Sequence, residues 1–143
     1  MKKPNPQNVI GGILIVVFVV LAVGLAAALA MVFAPVDLTL EDDRYTLSFF
    51  IYHEESAAYE EIAEVALLDE DYTSERIKSY GGISKEFGTY RNDAYGEHFR
   101  LTFSENKYAF ILIRRVDGSV TVFNQKTVAA TEELYLKLKE RVP

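Results

Sequence analysis

The chain has 143 residues, no cysteine, and 15 basic against 21 acidic residues, for a net charge of −6. This excludes disulfides and cysteine-based zinc sites. The length leaves room for one small domain with an appendage.

Residues 1–8, MKKPNPQN, form a short polar leader with two prolines that is not expected to fold by itself. From Val9 to Phe33 no residue is charged. At ~1.5 Å per residue this run exceeds the ~30 Å hydrocarbon core of a bilayer, so residues 9–34 read as one tilted transmembrane helix. A cleaved signal is the other reading, since Lys2 and Lys3 precede the run and Ala28-Leu29-Ala30 has small-x-small spacing. A signal core usually spans only ~7–15 residues, which favours the uncleaved anchor in a cell membrane. Lys2 and Lys3 against the later Arg44 place the N-terminus in the cytoplasm and the following domain outside it. Gly24 with Ala28, and Ala26 with Ala30, give the small-x-x-x-small spacing that permits self-association of such helices.

After the span, 13 of the 15 basic residues face all 21 acidic ones, a net charge of −8. Such a domain is repelled by nucleic acid and by anionic lipid, which leaves protein as its expected partner.

A membrane-proximal segment and first strand occupy 35–55 and the domain core 56–143, so the domain as a whole covers about 36–143. Tyr45 to His53, YTLSFFIYH, reads as a strand with Tyr45, Leu47, Phe49 and Ile51 on one face. Ser56 can cap one helical turn, Ile62–Leu68 reads as a second strand, and Glu75–Tyr80 as a short third. In Ser79–Leu101, SYGGISKEFGTYRNDAYGEHFRL, Gly81, Gly82, Gly88 and Gly96 read as turn glycines. The segment matches no nucleotide-binding fingerprint and no parallel βαβ unit surrounds it.

Phe99, Leu101 and Phe103 alternate with His98, Arg100 and Thr102, which predicts a strand with His98 and Arg100 facing outward. Tyr108–Arg114 and Ser119–Phe123 are joined by Asp117-Gly118, a strong hairpin signal. The C-terminal segment TVAATEELYLKLKERV has Thr127 or Thr131 as cap and late lysines that suit the helix dipole. Leu134 and Leu138 share one of its faces.

The elements predict a mainly β domain with one C-terminal α-helix, a bent antiparallel sheet or barrel. The ordered segments IAEVALLDE, RIKSYGG, YGEHFRLTF, ILIRRVDGSVTVFNQ and TEELYLKLKE resemble the bacterial pleckstrin-homology-like families over about Ala57 to Glu140. That resemblance implies a strongly bent antiparallel sheet closed by the C-terminal helix, often joined to transmembrane helices. The clustered Lys and Arg with which eukaryotic members hold inositol phosphates are replaced here by Glu54, Glu55, Glu60 and Glu61.

His53 and His98 have no nucleophile motif near them, and the acidic triplets at 41–43 and 69–71 lack the pattern of a calcium loop. No cofactor, metal or catalysis is therefore expected. Tyrosine and arginine grouped on a surface favour protein contact, and Tyr80, Tyr90, Arg91, Tyr95, His98 and Arg100 are the candidate partner-binding set. The function read from these features is a single-span membrane protein displaying a non-catalytic interaction or scaffolding domain. The alternative is an accessory or enzyme acting on an envelope substrate.

Overall fold

The computed structural model describes residues 5–49, 51, 53–81 and 83–143, so Lys2, Lys3, Phe50, Tyr52 and Gly82 lie outside the described residues. The chain divides into two units, one ending at Ala34 and the other starting at Pro35.

The first unit is α1, Pro6–Phe33, 28 residues long or about 42 Å. Asn5 caps it by accepting a bond from the Gln7 backbone at 3.1 Å, and Pro6 occupies the first turn, where its missing N–H costs nothing. The helix thus starts inside the segment expected to be an unfolded leader. None of its residues is buried within the chain, and it is long and apolar enough to span a membrane.

The second unit has a three-stranded antiparallel sheet, β1 (Val36–Leu40), β2 (Arg44–Phe49) and β3 (His53–Ala58), followed by a single 3-10 turn at Tyr59–Glu61. A six-stranded sheet contains β4 (Ile62–Leu68), β5 (Glu75–Gly81), β6 (Lys85–Asn92), β7 (Gly96–Phe103), β8 (Phe110–Arg115) and β9 (Val120–Phe123) in the order β4-β8-β9-β7-β6-β5. Its strands are antiparallel except β7 with β9, which pair in parallel from Phe99↔Thr121 to Leu101↔Phe123. The helix α2, Val128–Lys139, packs on β4 and β8. The architecture is the expected mainly β fold with a C-terminal helix, and neither sheet closes into a barrel.

Tyr45, Leu47 and Phe49 are fully buried, as alternation predicted, but the strand stops at Phe49 instead of running to His53. Phe49 pairs with His53, so the chain reverses between them and leaves Ile51 81% exposed. This reversal brings Glu55 beside Tyr45, where a continuous strand would have carried it away. Ser56 caps no helix; it lies in β3 and accepts a bond from the Thr46 hydroxyl at 3.2 Å. The strand β1 was not anticipated at all.

The three-stranded sheet lies against one face of the larger one. His53 stacks on Phe99 at 3.8 Å and Phe49 meets Phe87 edge-on at 5.0 Å. In α2, Thr127 is the cap, accepting from the Ala130 backbone, while Thr131 is buried and donates to the Thr127 carbonyl. Leu138 is fully buried, Leu134 half-buried. The Asp117-Gly118 hairpin forms as predicted, with Gly118 at φ +89 and Asp117 accepting from the Ser119 backbone at 2.8 Å. Gly88 is no turn glycine: it sits within β6 at φ +139, where a Cβ would stand 2.2 Å from the Lys78 carbonyl oxygen. Close approach of β5 explains it.

Candidate functional site

The connection from β4 to β5, Asp69–Ser74, crosses the face of β7 that sequence alternation assigns to solvent. It turns on itself, with Asp69 accepting from the backbone N–H of Asp71 at 3.0 Å, and carries Tyr72 onto the sheet. There Tyr72 packs against Phe110 at 5.0 Å and joins an apolar cluster with Leu112, Val122 and Tyr95.

His98 is consequently buried at 3% exposure, a correction to its expected outward position. Its Nδ1 lies 2.9 Å from the Gly96 carbonyl and its Nε2 2.6 Å from the Tyr72 hydroxyl. The carbonyl can only accept, so Nδ1 carries the proton and Nε2 accepts from Tyr72. Burial pushes the His98 ring below its ordinary value, with Arg100 adding to the shift against the Gly96 bond. Burial likewise pushes the Tyr72 hydroxyl up.

Arg100 also turns inward, for the same reason. Its guanidinium lies 4.8 Å from the Tyr90 ring and 5.6 Å from the Tyr72 ring, donates to Ser74 at 3.1 Å and to Thr102 at 3.0 Å, and pairs with Glu86 at 3.5 Å. Tyr90 is buried beneath it. The candidate set therefore separates. His98, Arg100 and Tyr90 form a buried support, Arg91 and Tyr95 reach the surface beside it, and Tyr80 stands on the other face of the sheet against Phe87 at 5.7 Å.

Arg91 and Tyr95 line a groove of about 880 Å³ between the 69–74 connection and the β6–β7 turn. Tyr72 is on its floor, Asp69, Asp71, Glu75 and Asp93 supply carboxylates, and Asn92 ties the two walls by donating to the Thr73 carbonyl at 2.9 Å. Arg91 pairs with Glu97 at the surface, and the Arg114 guanidinium lies 5.6 Å from the Tyr95 ring. Sequence reasoning missed Tyr72; the one signal for it was an aromatic residue directly after the acidic DED turn.

A second polar cluster lies between the sheets, and nothing in the sequence reading located it. Glu55 accepts from the Tyr45 hydroxyl at 2.9 Å, from Thr121 at 2.9 Å and from His53 at 3.2 Å, and pairs with Arg115 at 3.1 Å. Arg115 also donates to the Tyr45 hydroxyl at 3.1 Å. Burial pushes the Glu55 carboxyl up, but the His53 bond, the Arg115 charge and the two hydroxyls outweigh it and hold it below its ordinary value. Among the described residues no group of three His, Asp or Glu side chains could hold a metal ion.

No protein-family model matches this chain, and comparison with curated proteins and with solved structures yields no significant match.

Proposed function

We propose that this is a single-span membrane protein whose β domain is a non-catalytic, pleckstrin-homology-like interaction module that receives a protein partner in the tyrosine-floored groove. The observation that carries the reading is the groove itself, with aromatic rings below and carboxylates around it. That chemistry suits a segment bearing lysine or arginine, which can pair with the carboxylates and lie over the rings. The candidate set then divides its work: Arg91 and Tyr95 touch the partner, and Tyr90, His98 and Arg100 hold the floor. Over the alternative of an envelope enzyme, the reading is favoured because both ring nitrogens of His98 are already bonded. The helix is the anchor, with the N-terminus inside and the domain outside, on the argument of Lys2 and Lys3.

A photocrosslinker at Ala94, on the groove wall, tests this in native membranes. It should capture a partner that the same group at Asp117 does not, and Tyr95→Ala with Asp93→Lys, which reverses one of the groove's carboxylates, should abolish the capture. Equal capture from both positions, or capture indifferent to the double change, would overturn the assignment of the groove.

A further inference from the structure

Among the described residues of the β domain, the two most exposed large apolar side chains are Ile51, at 81%, and Ile83, at 83%. Scattered exposed aliphatics are ordinary, and only their placement gives them meaning. Both sit where strands reverse: Ile51 between β2 and β3, Ile83 between β5 and β6.

These reversals are neighbours. Phe49, two residues before Ile51, touches the Phe87 ring of β6, and Phe87 in turn lies 5.7 Å from Tyr80 of β5. Lys85, two residues after Ile83, holds its ammonium 5.7 Å from the Phe49 ring. Tyr80, 55% exposed, therefore belongs to the same end as the two isoleucines.

The register adds the decisive fact. Val36 pairs with Phe49, and Val36 follows Phe33, the last residue of α1, by three positions. Three extended residues reach only about 10 Å. If α1 lies in a bilayer, the end bearing Ile51, Tyr80 and Ile83 is held close to that bilayer's surface by the chain itself.

Charge is distributed in agreement. Glu41, Asp42 and Asp43 lie at the opposite end of the three-stranded sheet. Nearest the isoleucines, Asp37 and Glu54 are set one step in, both opposite Ser48, and Glu86 is turned to Arg76 and Arg100.

We infer that Ile51, Tyr80 and Ile83 enter the headgroup layer of the membrane spanned by α1 and fix the orientation of the domain on it. Aliphatic tips bury apolar surface there, and a tyrosine places its ring at headgroup depth with its hydroxyl in water. Two tips are too few to hold a free domain. A tether of three residues, however, keeps them at high effective concentration, so the contact persists only in the anchored chain. The groove, at the Glu75–Arg91 end of the β5–β6 hairpin and not at its Gly81–Glu86 end, is then turned toward the aqueous side.

The inference rests on the membrane-span reading, and one experiment separates the two. The chain has no tryptophan, so single tryptophans report position without background. The full chain carrying Ile51→Trp, Ile83→Trp, Val116→Trp or Phe18→Trp is placed in zwitterionic phosphatidylcholine nanodiscs, with brominated lipid and aqueous iodide as quenchers. Val116 is an exposed aliphatic in the β8–β9 turn and serves as the distal control. The expected result is loss of most emission to brominated lipid at 51 and 83, and to iodide at 116. Iodide quenching without lipid quenching at 51 or at 83, while position 18 is quenched by lipid, overturns the anchor. Absence of lipid quenching at 18 defeats the span itself, and the anchor with it.

Discussion

The two buried polar clusters use the same parts differently. Each sets an arginine and a tyrosine hydroxyl beside a titratable group, Glu55 between the sheets and His98 on the outer face of the larger one. The Glu55 cluster joins strands distant in sequence, and its centre is an ion pair largely withdrawn from water. The His98 cluster centres on a neutral ring and secures one connection, the wall and floor of the groove. Losing a member of the first leaves a charge stranded between sheets, whereas losing a member of the second frees a loop. The difference teaches that burial of polar groups has no single meaning here: one cluster specifies the fold, the other shapes a surface.

The largest effect that should distinguish them is Glu55→Ala. Removing one partner of a buried pair costs about 3–5 kcal/mol, read as a lowered urea midpoint of the full chain in detergent micelles. A loss below ~1 kcal/mol would mean that water reaches Arg115 and that the clusters do not differ. His98→Phe should cost less, about 1–2 kcal/mol, because the Gly96 carbonyl loses its donor and the Tyr72 hydroxyl keeps only its longer bond to Ser74, at 3.2 Å. Limited proteolysis should show that loss as faster cutting within 69–74. Cutting spread evenly over the domain would make the His98 cluster a global element too.

Titration should sharpen the contrast. The His98 ring is held below its ordinary 6.5, so the unfolded chain takes up its proton first. Stability is then intact above pH 6.5 and declines as pH falls toward the folded value. Glu55, held below its ordinary 4.5, contributes stability present above pH 4.5 and lost as pH falls through its folded value. Urea midpoints from pH 7.5 to 3.5 should show two declines, with His98→Phe removing the upper and Glu55→Gln the lower. The smallest effect is expected for Arg91→Ala, which should leave the midpoint unchanged and alter only partner capture.

Much of the fold was legible because it is written in local pattern. The charge-free run gives α1, and alternation with Asp117-Gly118 gives the β8–β9 hairpin. The spacing of Leu134 and Leu138 with late lysines gives α2. The reversal after Phe49 was not legible, because YTLSFFIYH carries no glycine, proline or asparagine to mark a turn. Nor was β3, whose HEESAA reads as solvated chain until Tyr45, Thr121 and Arg115 are placed around Glu55. The site was legible only in part. Arg91 and Tyr95 do reach the groove, but alternation cannot foresee that a connection 26 residues away in sequence roofs His98. Which face of a strand meets water is decided by what crosses it.

The pairing of β4 bears on the order in which the domain assembles. Its partner is β8, and the whole β5–β6–β7 meander intervenes before that strand is made. Neighbouring hairpins can close as the chain emerges, but β4 must wait, with the entropy of a long loop still to be overcome. During synthesis its apolar residues therefore stay open to other strand edges until β8 and β9 arrive and seat β4 beneath α2. Chain growth stalled before Phe110 would hold the protein in that unfinished state, tethered by a helix that is already made.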